Sequence, residues 1–424
     1  MAFLTLDDIP MSDKCVFVRI DLNCPIDEKT KLPQLSPRIT AHARTVLDLS
    51  HAGAKTVLLA HQGRKGDDDF TSLAPHAKLL EKEVKKLAKA DGKKSPRVIF
   101  VDDVCGEKAK SAIKALKNGE VVLLQNVRYL DDETKYEKNG GKSELVKNLS
   151  PFCDVFVLDA FSCAHRAHAS VVGFGARRPA PDAGSVSASI PCLAGRVMAE
   201  ELGALEKFRN PPRPVVFVLG GAKPDDSLPI LKAWLDAGKL DYALCGGLLG
   251  SLMLLASGRG LGATNELLEK KEALAKLDDA KALLLKYSGK IVIPADVIVD
   301  ADGAAQVLGA GQLPSPHSIS DIGPKTAQHF SSLIRSAGSI VMNGPMGVYE
   351  KNEFAGGTKA VLSAIASSSA FSLLGGGHTL SALDKFKINR SHLGYVSLSG
   401  KALIEYLSGE KLPGVEMLEK AAKN

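Results

Sequence analysis

Val215-Val216-Phe217-Val218-Leu219-Gly220-Gly221-Ala222-Lys223-Pro224-Asp225-Asp226-Ser227 reads as a strand, a bare turn and the start of a helix. The apolar run Val215 to Leu219 fits a strand buried on both faces, as in a parallel sheet. Gly220 and Gly221 remove side chains where that strand leaves the sheet, and ligands of open α/β sheets bind beyond the carboxyl ends of strands. Lys223 adds a mobile cation, and Pro224 fits the first position of a helix. Backbone, ammonium and free helix N–H groups together suit a phosphate. An ordinary glycine turn with a solvated lysine would read the same way, so the segment alone leaves both readings open.

The surrounding chain repeats the pattern. Tyr242–Cys245 leads to Gly246-Gly247, Ser339–Met342 to Asn343-Gly344-Pro345-Met346-Gly347, and Ala370–Leu374 to Gly375-Gly376-Gly377-His378-Thr379. One glycine pair is weak evidence, but the same kind of exit at strand after strand points to a flat ligand held against backbone, as a nucleotide would be. The first half has the same rhythm with different exits. Val16–Ile20, Thr56–Ala60, Val98–Val101, Val121–Leu124 and Val155–Leu158 alternate with helical patterns, which implies a parallel sheet. Ser36 can cap a helix that Pro37 opens and Gly53 stops, with Ile39, Ala43, Val46 and Leu47 as its apolar stripe. The exits here are Asp21-Leu22-Asn23, His61-Gln62-Gly63-Arg64, Gln125-Asn126-Val127-Arg128 and Asp159-Ala160-Phe161.

Between the halves, Arg177 to Ser189 reads as a surface loop and Pro191 to Phe208 as one helix, ended by Asn210-Pro211-Pro212-Arg213-Pro214. The predicted organisation is therefore a domain over 1–190, a joining helix over 191–208, a second domain over 209–400 and a C-terminal segment over 401–424. After Gly400, a short helix carries Ala402, Leu403, Tyr406 and Leu407, followed by Pro413-Gly414 and a tail.

The chain has 424 residues, 45% hydrophobic and 24% charged, which suits a globular protein of two or three domains. A net charge of +6 permits anionic ligands without demanding nucleic acid, and 5% aromatic residues are few for base stacking. Cysteines 15, 24, 105, 153, 163, 192 and 245 form no C-x-x-C pair, so neither zinc nor a disulfide framework is indicated. They read as small buried residues of a reducing compartment. No signal peptide is visible, and the uncharged run Tyr242 to Gly258 is too short and glycine-broken for a membrane span. A cytoplasmic location is expected, with neither membrane nor nucleic acid as a partner.

Arginine at the first set of exits suits a small, highly charged acid, because its fork clamps phosphate or carboxylate bidentately. Glycine at the second suits nucleotide phosphates. A cleft between such faces would serve phosphoryl transfer, which needs positioning and positive charge more than a nucleophilic side chain. Other chemistries lack their motifs. Gly141-Lys142-Ser143 has Tyr136 where a P-loop needs its first glycine, and Gly173-Phe174-Gly175 lacks the third glycine of a dinucleotide fingerprint. His165-Arg166-Ala167-His168 has the wrong spacing and no glutamate for a zinc protease.

These segments, colinear from about Val16 to Val415, resemble the phosphoglycerate kinase family. Val18-Arg19-Ile20-Asp21-Leu22-Asn23-Cys24-Pro25 is similar to its first substrate loop, and Asp159-Ala160-Phe161 with Ala164-His165-Arg166-Ala167-His168 to its basic loop. Gly220 to Lys223, Asn343 to Glu350 and Gly375 to Thr379 match its nucleotide half. The resemblance implies an α/β fold of two domains, each a mostly parallel, Rossmann-like sheet flanked by helices, joined by an interdomain helix. It implies reversible phosphoryl transfer between 1,3-bisphosphoglycerate and ADP, giving 3-phosphoglycerate and ATP, with Mg²⁺ bridging nucleotide phosphates.

By the same resemblance, Asp21, Leu22, Asn23, Arg38, His61, Gln62, Gly63, Arg64, Arg128 and Arg166 would bind the phosphoglycerate. Arg38 and Lys223 would be the catalytic cations. Gly220, Gly221, Gly246, Gly247, Asn343, Glu350, Gly375, Gly376, Gly377, His378 and Thr379 would bind the nucleotide, with Glu350 towards the ribose. The C-terminal segment would return to the first domain. Ser227 stands where the bacterial and eukaryotic pattern has a second lysine, and His378 where it has aspartate; with His61-Gln62-Gly63-Arg64, both are similar to the archaeal branch. The metal-contacting residue is left open, and so is the choice between monomer and homodimer. A two-domain sensor that holds both ligands without catalysis is the competing expectation.

Overall fold

The computed structural model describes residues 3–175 and 189–423. The chain divides into two compact units, Met1–Gly203 with Lys411–Asn424, and Ala204–Glu410. Most of the loop expected over Arg177 to Ser189 lies outside the described residues.

The first unit is built on seven strands: β1 (Leu4–Thr5), β2 (Cys15–Arg19), β3 (Lys55–Leu59), β4 (Val98–Val101), β5 (Val121–Leu124), β6 (Val155–Leu158) and β7 (Cys192–Ala194). Their spatial order is β1-β7-β6-β2-β3-β5-β4, and every pairing is parallel. β2, β3, β5 and β6 are buried on both faces because helices cover the sheet, whereas the edge strand β4 exposes Ile99. The helix Pro37–His51 packs on β2 and β3, with Ile39, Ala43, Val46 and Leu47 buried. Pro37 sets its start. Ser36 has the extended backbone of a cap, yet its hydroxyl makes no capping bond and is buried without a partner, which corrects its expected role. Gly53, at φ +75°, supplies the left-handed turn after the helix.

The helix expected over Pro191 to Phe208 is shorter. Cys192–Ala194 forms β7, because those three buried apolar residues complete the sheet between β6 and β1. The helix itself spans Arg196–Glu206. Asp159 Oδ1 accepts from the backbone N–H of Val197 at 2.8 Å and of Met198 at 3.3 Å, satisfying donors of its first turn. The boundary between the units falls within this helix.

The second unit continues with β8 (Val215–Leu219), β9 (Tyr242–Cys245), β10 (Ile291–Val292), β11 (Asp296–Ala301), β12 (Ala304–Gly309), β13 (Ile319–Ile322), β14 (Ser339–Asn343), β15 (Phe371–Gly375) and β16 (Tyr395–Val396). Its main sheet has the order β10-β9-β8-β14-β15-β16, again parallel throughout. β11, β12 and β13 form a separate antiparallel sheet, absent from the sequence reading. Its hairpin turns at Asp302-Gly303, with φ +53° and +92°, the dipeptide that favours such a turn.

The C-terminal stretch also departs from expectation. Lys401–Leu407 is helical and packs on Pro224–Asp236 within the second unit, where Trp234 Nε1 donates to the Leu407 carbonyl. Pro413 opens a further helix to Ala421, where the sequence suggested a tail. Only from Lys411 does the chain belong to the first unit, and there Gly414 N donates to Ala164 O at 2.9 Å.

Candidate active site

The arginine-rich exits belong to strands that are neighbours, β6, β2, β3 and β5. Sequence order reverses beside β2, so the chain departs to β3 on one side and arrives as β6 on the other. Such a switch point opens a crevice at the carboxyl ends of strands.

Asp21 is 3% exposed. Arg38 Nη1 lies 3.2 Å from its Oδ2 and 3.0 Å from the Asn23 carbonyl. Ser162 Oγ donates to the same carboxylate oxygen, and Oδ1 accepts from Asn23 N at 3.0 Å. Burial alone would raise the Asp21 carboxyl, but the Arg38 charge, the Ser162 bond and the Arg19 charge outweigh it and hold it well below the usual carboxylate range. Asp21 N donates to His42 Nε2 at 3.0 Å, so the proton of that ring sits on Nδ1, 2.8 Å from Asp159 Oδ2. Asp159 thus ties the site floor to the helix Arg196–Glu206.

The β3 exit is fixed as tightly. Asn23 Oδ1 accepts from Gly63 N at 2.9 Å, and Arg128 Nη1 donates to the Gly63 carbonyl. Asn126 Nδ2 donates to Gln62 O at 2.7 Å and to Thr71 O at 3.0 Å, holding the turn. Gln62 is spent on scaffolding: its amide bonds both the N–H and the carbonyl of Cys24, with His76 Nε2 3.1 Å from its oxygen. Leu22 points into the core. Arg64 is exposed and takes no part in this web. Arg166 Nε donates to His165 Nε2 at 3.0 Å, and its charge is felt by His61, Arg128 and His168. Desolvation, then Arg166 and Arg19, brings Arg128 down to about 10. The same causes bring His168 to about 3.

Asp21, His61 and Cys163 place ligating atoms within 4.8 Å of one another, the one such trio among the described residues. Their setting opposes a metal ion: the surrounding guanidiniums favour an anion there, and His61 Nδ1 already receives Arg19. Arg19, His42, Ser162 and Glu133 were missed as site residues. For Arg19 the signal was available, because a charge inside the apolar run Val16–Ile20 cannot be buried without partners.

In the second unit the glycine exits belong to neighbours β9, β8, β14 and β15. Several of these glycines serve one another. Gly221 N donates to Pro345 O at 2.7 Å, Gly247 N to Met346 O at 2.8 Å and Leu248 N to Gly221 O at 2.9 Å. A Cβ on Gly247 would stand 2.6 Å from Gly221 N, at a φ of +53°. Gly220 and Gly246 are closed in by Pro345 and Met346, and Gly375 by Leu403 and Ser399. Thr379 Oγ1 accepts from Gly344 N at 2.9 Å, and Gly376, the residue before the helix Gly377–Lys385, abuts the Asn343 side chain. Gly377 faces open space.

Beside this frame lies a cavity of about 210 Å³. Leu248, Leu254, Leu267, Val297 and Ile322 supply apolar walls, Gly221 and Gly247 supply backbone, and Glu350 and His378 add polar groups. His378 Nδ1 lies 3.6 Å from Glu350 Oε1. Asp321, also in the wall and missed by sequence reading, accepts from Gly357 N at 2.6 Å and Ile322 N at 2.9 Å. Burial nevertheless raises it to about 7. Lys223 is exposed at the residue preceding the helix Pro224–Asp236, and Ser227 Oγ is buried without a partner.

A crevice of hydrogen-bonded arginines and an apolar pocket on glycine-framed backbone suit the chemistry of a nucleotide-dependent phosphotransferase. A family model for phosphoglycerate kinase matches residues 6–410, and the chain belongs to that family. It is similar to the phosphoglycerate kinases of Saccharolobus solfataricus (39% identity, 99% of this chain and 98% of the relative) and Methanococcus maripaludis (38%, 99% and 98%). The crystal structure of phosphoglycerate kinase from Pyrococcus horikoshii covers 99% of both chains at 34% identity, with a TM-score of 0.88. A solved structure of phosphoglycerate kinase from Coxiella burnetii gives 33% identity, the same coverage and a TM-score of 0.77. The fold and the kinase activity expected from the sequence therefore stand: the chain is a transferase that moves a phosphoryl group reversibly between 1,3-bisphosphoglycerate and ADP.

Proposed function

We propose that the crevice at β6, β2, β3 and β5 holds the phosphoglycerate and the pocket beside β9 and β8 holds the nucleotide. The observation carrying this reading is the segregation of chemistry: side-chain cations gather at neighbouring exits of one sheet, backbone and apolar walls at those of the other. Asp21 accepts from the hydroxyl of the acid, while Arg38, Arg128 and Arg166 meet its carboxylate and phosphate. The base occupies the apolar cavity, Glu350 takes the ribose, and the open first turn at Gly377 and His378 offers N–H groups to phosphate. Arg38 and Lys223 follow the migrating phosphoryl group as charge develops.

Magnesium enters with the nucleotide as part of the substrate, held mainly by phosphate oxygens and water. The pocket fits that role. Asp321 has both oxygens committed to backbone N–H groups, which leaves Glu350 as the carboxylate on the wall with an oxygen to offer. The cytoplasm is the proposed location, from the reducing chemistry of seven free thiols. Among the described residues no helix is long and apolar enough to cross a membrane.

A coupled assay following ADP release from MgATP and 3-phosphoglycerate tests the reading. Turnover that needs both substrates, and falls sharply in Arg38→Ala and in Lys223→Ala, is expected. Undiminished turnover in either variant would overturn the residue roles.

A further inference from the structure

Arg19 ends β2 with only 1% of its surface exposed, a cation inside a buried strand. Its guanidinium is committed on every nitrogen. Nε donates to Ser170 Oγ at 2.8 Å, Nη1 donates to the Ile20 carbonyl, and Nη2 lies 2.9 Å from His61 Nδ1 and 3.5 Å from Cys163 Sγ. Ser170 passes the interaction on: its Oγ donates to Glu133 Oε1 at 2.6 Å, and its N–H to Oε2 at 3.0 Å. Glu133 is fully buried. The result is a continuous chain from a buried carboxylate, through a hydroxyl and a guanidinium, to an imidazole.

A guanidinium carries donors and no acceptor. Its contact with His61 Nδ1 therefore requires a lone pair on that nitrogen, and the one ring proton must sit on Nε2. We propose that Arg19, anchored by Ser170 and Glu133, is a positioning residue that locks His61 as the neutral, Nε2-protonated imidazole. His61 then meets the phosphoacid as a directional hydrogen-bond donor and not as one more cation. This rests on the assignment of the crevice to the phosphoacid made above.

The electrostatics agree with the geometry. The groups facing His61 are Arg19 and Asp21 from the end of β2, Arg128 from the exit of β5, and Cys163 and Arg166 from that of β6. Burial, then Arg19, keeps His61 well below its ordinary range, with Arg128 and Arg166 adding to the effect and Asp21 opposing it. Positive charge for binding an anion is already supplied by arginines, whose protonation does not change near neutral pH. A histidine charged only in acid would make substrate affinity vary with pH, and Arg19 removes that dependence. Glu133 makes the arrangement affordable, since a guanidinium buried without an anion would be costly.

Long-range ¹⁵N–¹H correlation spectra of the free, labelled enzyme read the tautomer directly, with His61→Gln used to assign the signal. The expected result is an Nε2–H imidazole for His61, unchanged from pH 8 to pH 5.5. In Arg19→Met, His61 should become a tautomer mixture and bind its second proton at a higher pH than in the parent, still below the unperturbed value of about 6.5 because burial, Arg128 and Arg166 remain. The pH profile of kcat/KM for 3-phosphoglycerate should gain an acid-side inflection that the parent enzyme lacks. Arg19→Met/Glu133→Gln removes the stranded carboxylate as well and guards against misfolding of the single variant. A wild-type His61 carrying its proton on Nδ1, or titrating between pH 5.5 and 8, would overturn the proposal. So would a folded variant in which His61 remains locked. The tautomer is read without substrate, so inactivity towards 3-phosphoglycerate would sink the functional assignment and leave this inference standing.

Discussion

The two units solve the same problem with opposite materials. In the first, the strand exits carry side chains whose positions are set by other side chains: Asn126 holds the Gln62 turn, Asn23 holds Gly63, Ser162 and Arg38 hold Asp21. In the second, exits are pinned backbone to backbone, with Gly221 donating to Pro345, Gly247 to Met346 and Leu248 to Gly221. A site for a small anion needs directed charge, which only side chains supply. A site for a nucleotide needs shape and many weak donors, which main chain supplies without rotamer entropy. The two should therefore fail in different ways when altered.

The largest contrast is between activity and stability. Lys223 is exposed, while Arg38, 29% exposed, lies at the crevice and neutralises the buried Asp21 carboxylate. Arg38→Ala or Lys223→Ala should lower kcat by about a hundredfold or more, while the melting temperature barely moves in Lys223→Ala and falls in Arg38→Ala only by what the weakened hold on Asp21 costs. Gly247→Ala should do the reverse. It forces a left-handed φ on alanine and drives its Cβ into Gly221, costing about 1–3 kcal/mol of stability. Nucleotide KM should rise with it, and calorimetric affinity for 3-phosphoglycerate should stay unchanged. A Gly247→Ala enzyme of normal stability would show that the second unit is not organised by its backbone.

A subtler contrast appears with pH. The first unit buries His61 and His76 and partly buries His168, all shifted down, His76 to about 4 and His168 to about 3, with desolvation the leading cause. Their unfolded forms bind protons first, so this unit loses stability as pH falls below about 6.5. Asp21, shifted down, adds a loss only below about pH 4. The second unit holds Asp321, raised to about 7 by burial. Its folded form binds the proton more tightly, so the contribution is full below about pH 4 and lost as pH rises through 7. Hydrogen exchange, corrected for intrinsic rates, should show protection in the first unit rising from pH 5 to 7.5 while that around Asp321 falls. Parallel trends in both units would erase the distinction.

Most of this was legible in the sequence where local chemistry and tertiary placement coincide. The strands Val98–Val101, Val121–Leu124, Val155–Leu158 and Val215–Leu219 form as read, because long apolar runs between turn residues have few other places to go. What escaped was non-local. Cys192–Ala194 continues a helical pattern and becomes a strand only because the sheet has a vacant slot between β6 and β1. Arg19 and Glu133 are 114 positions apart and meaningful only through Ser170. The glycines were visible, but half of their work, packing turn against turn, has no local signature.

The smallest expected effect concerns the helix that presents Arg38. Ser36 carries the residue type and backbone of a cap, and losing a working cap costs about 1 kcal/mol. Its hydroxyl makes no capping bond and is buried without a partner, so Ser36→Ala removes a desolvated group and no interaction. Stability should change by less than about 0.5 kcal/mol, on the neutral or favourable side, with turnover intact. Pro37 is what fixes the start of this helix, through a backbone angle preset for the first turn. Urea unfolding of Ser36→Ala beside Pro37→Ala would separate the two contributions. A full capping loss in the serine variant would mean that side-chain bonding in the first unit reaches further than its strand exits.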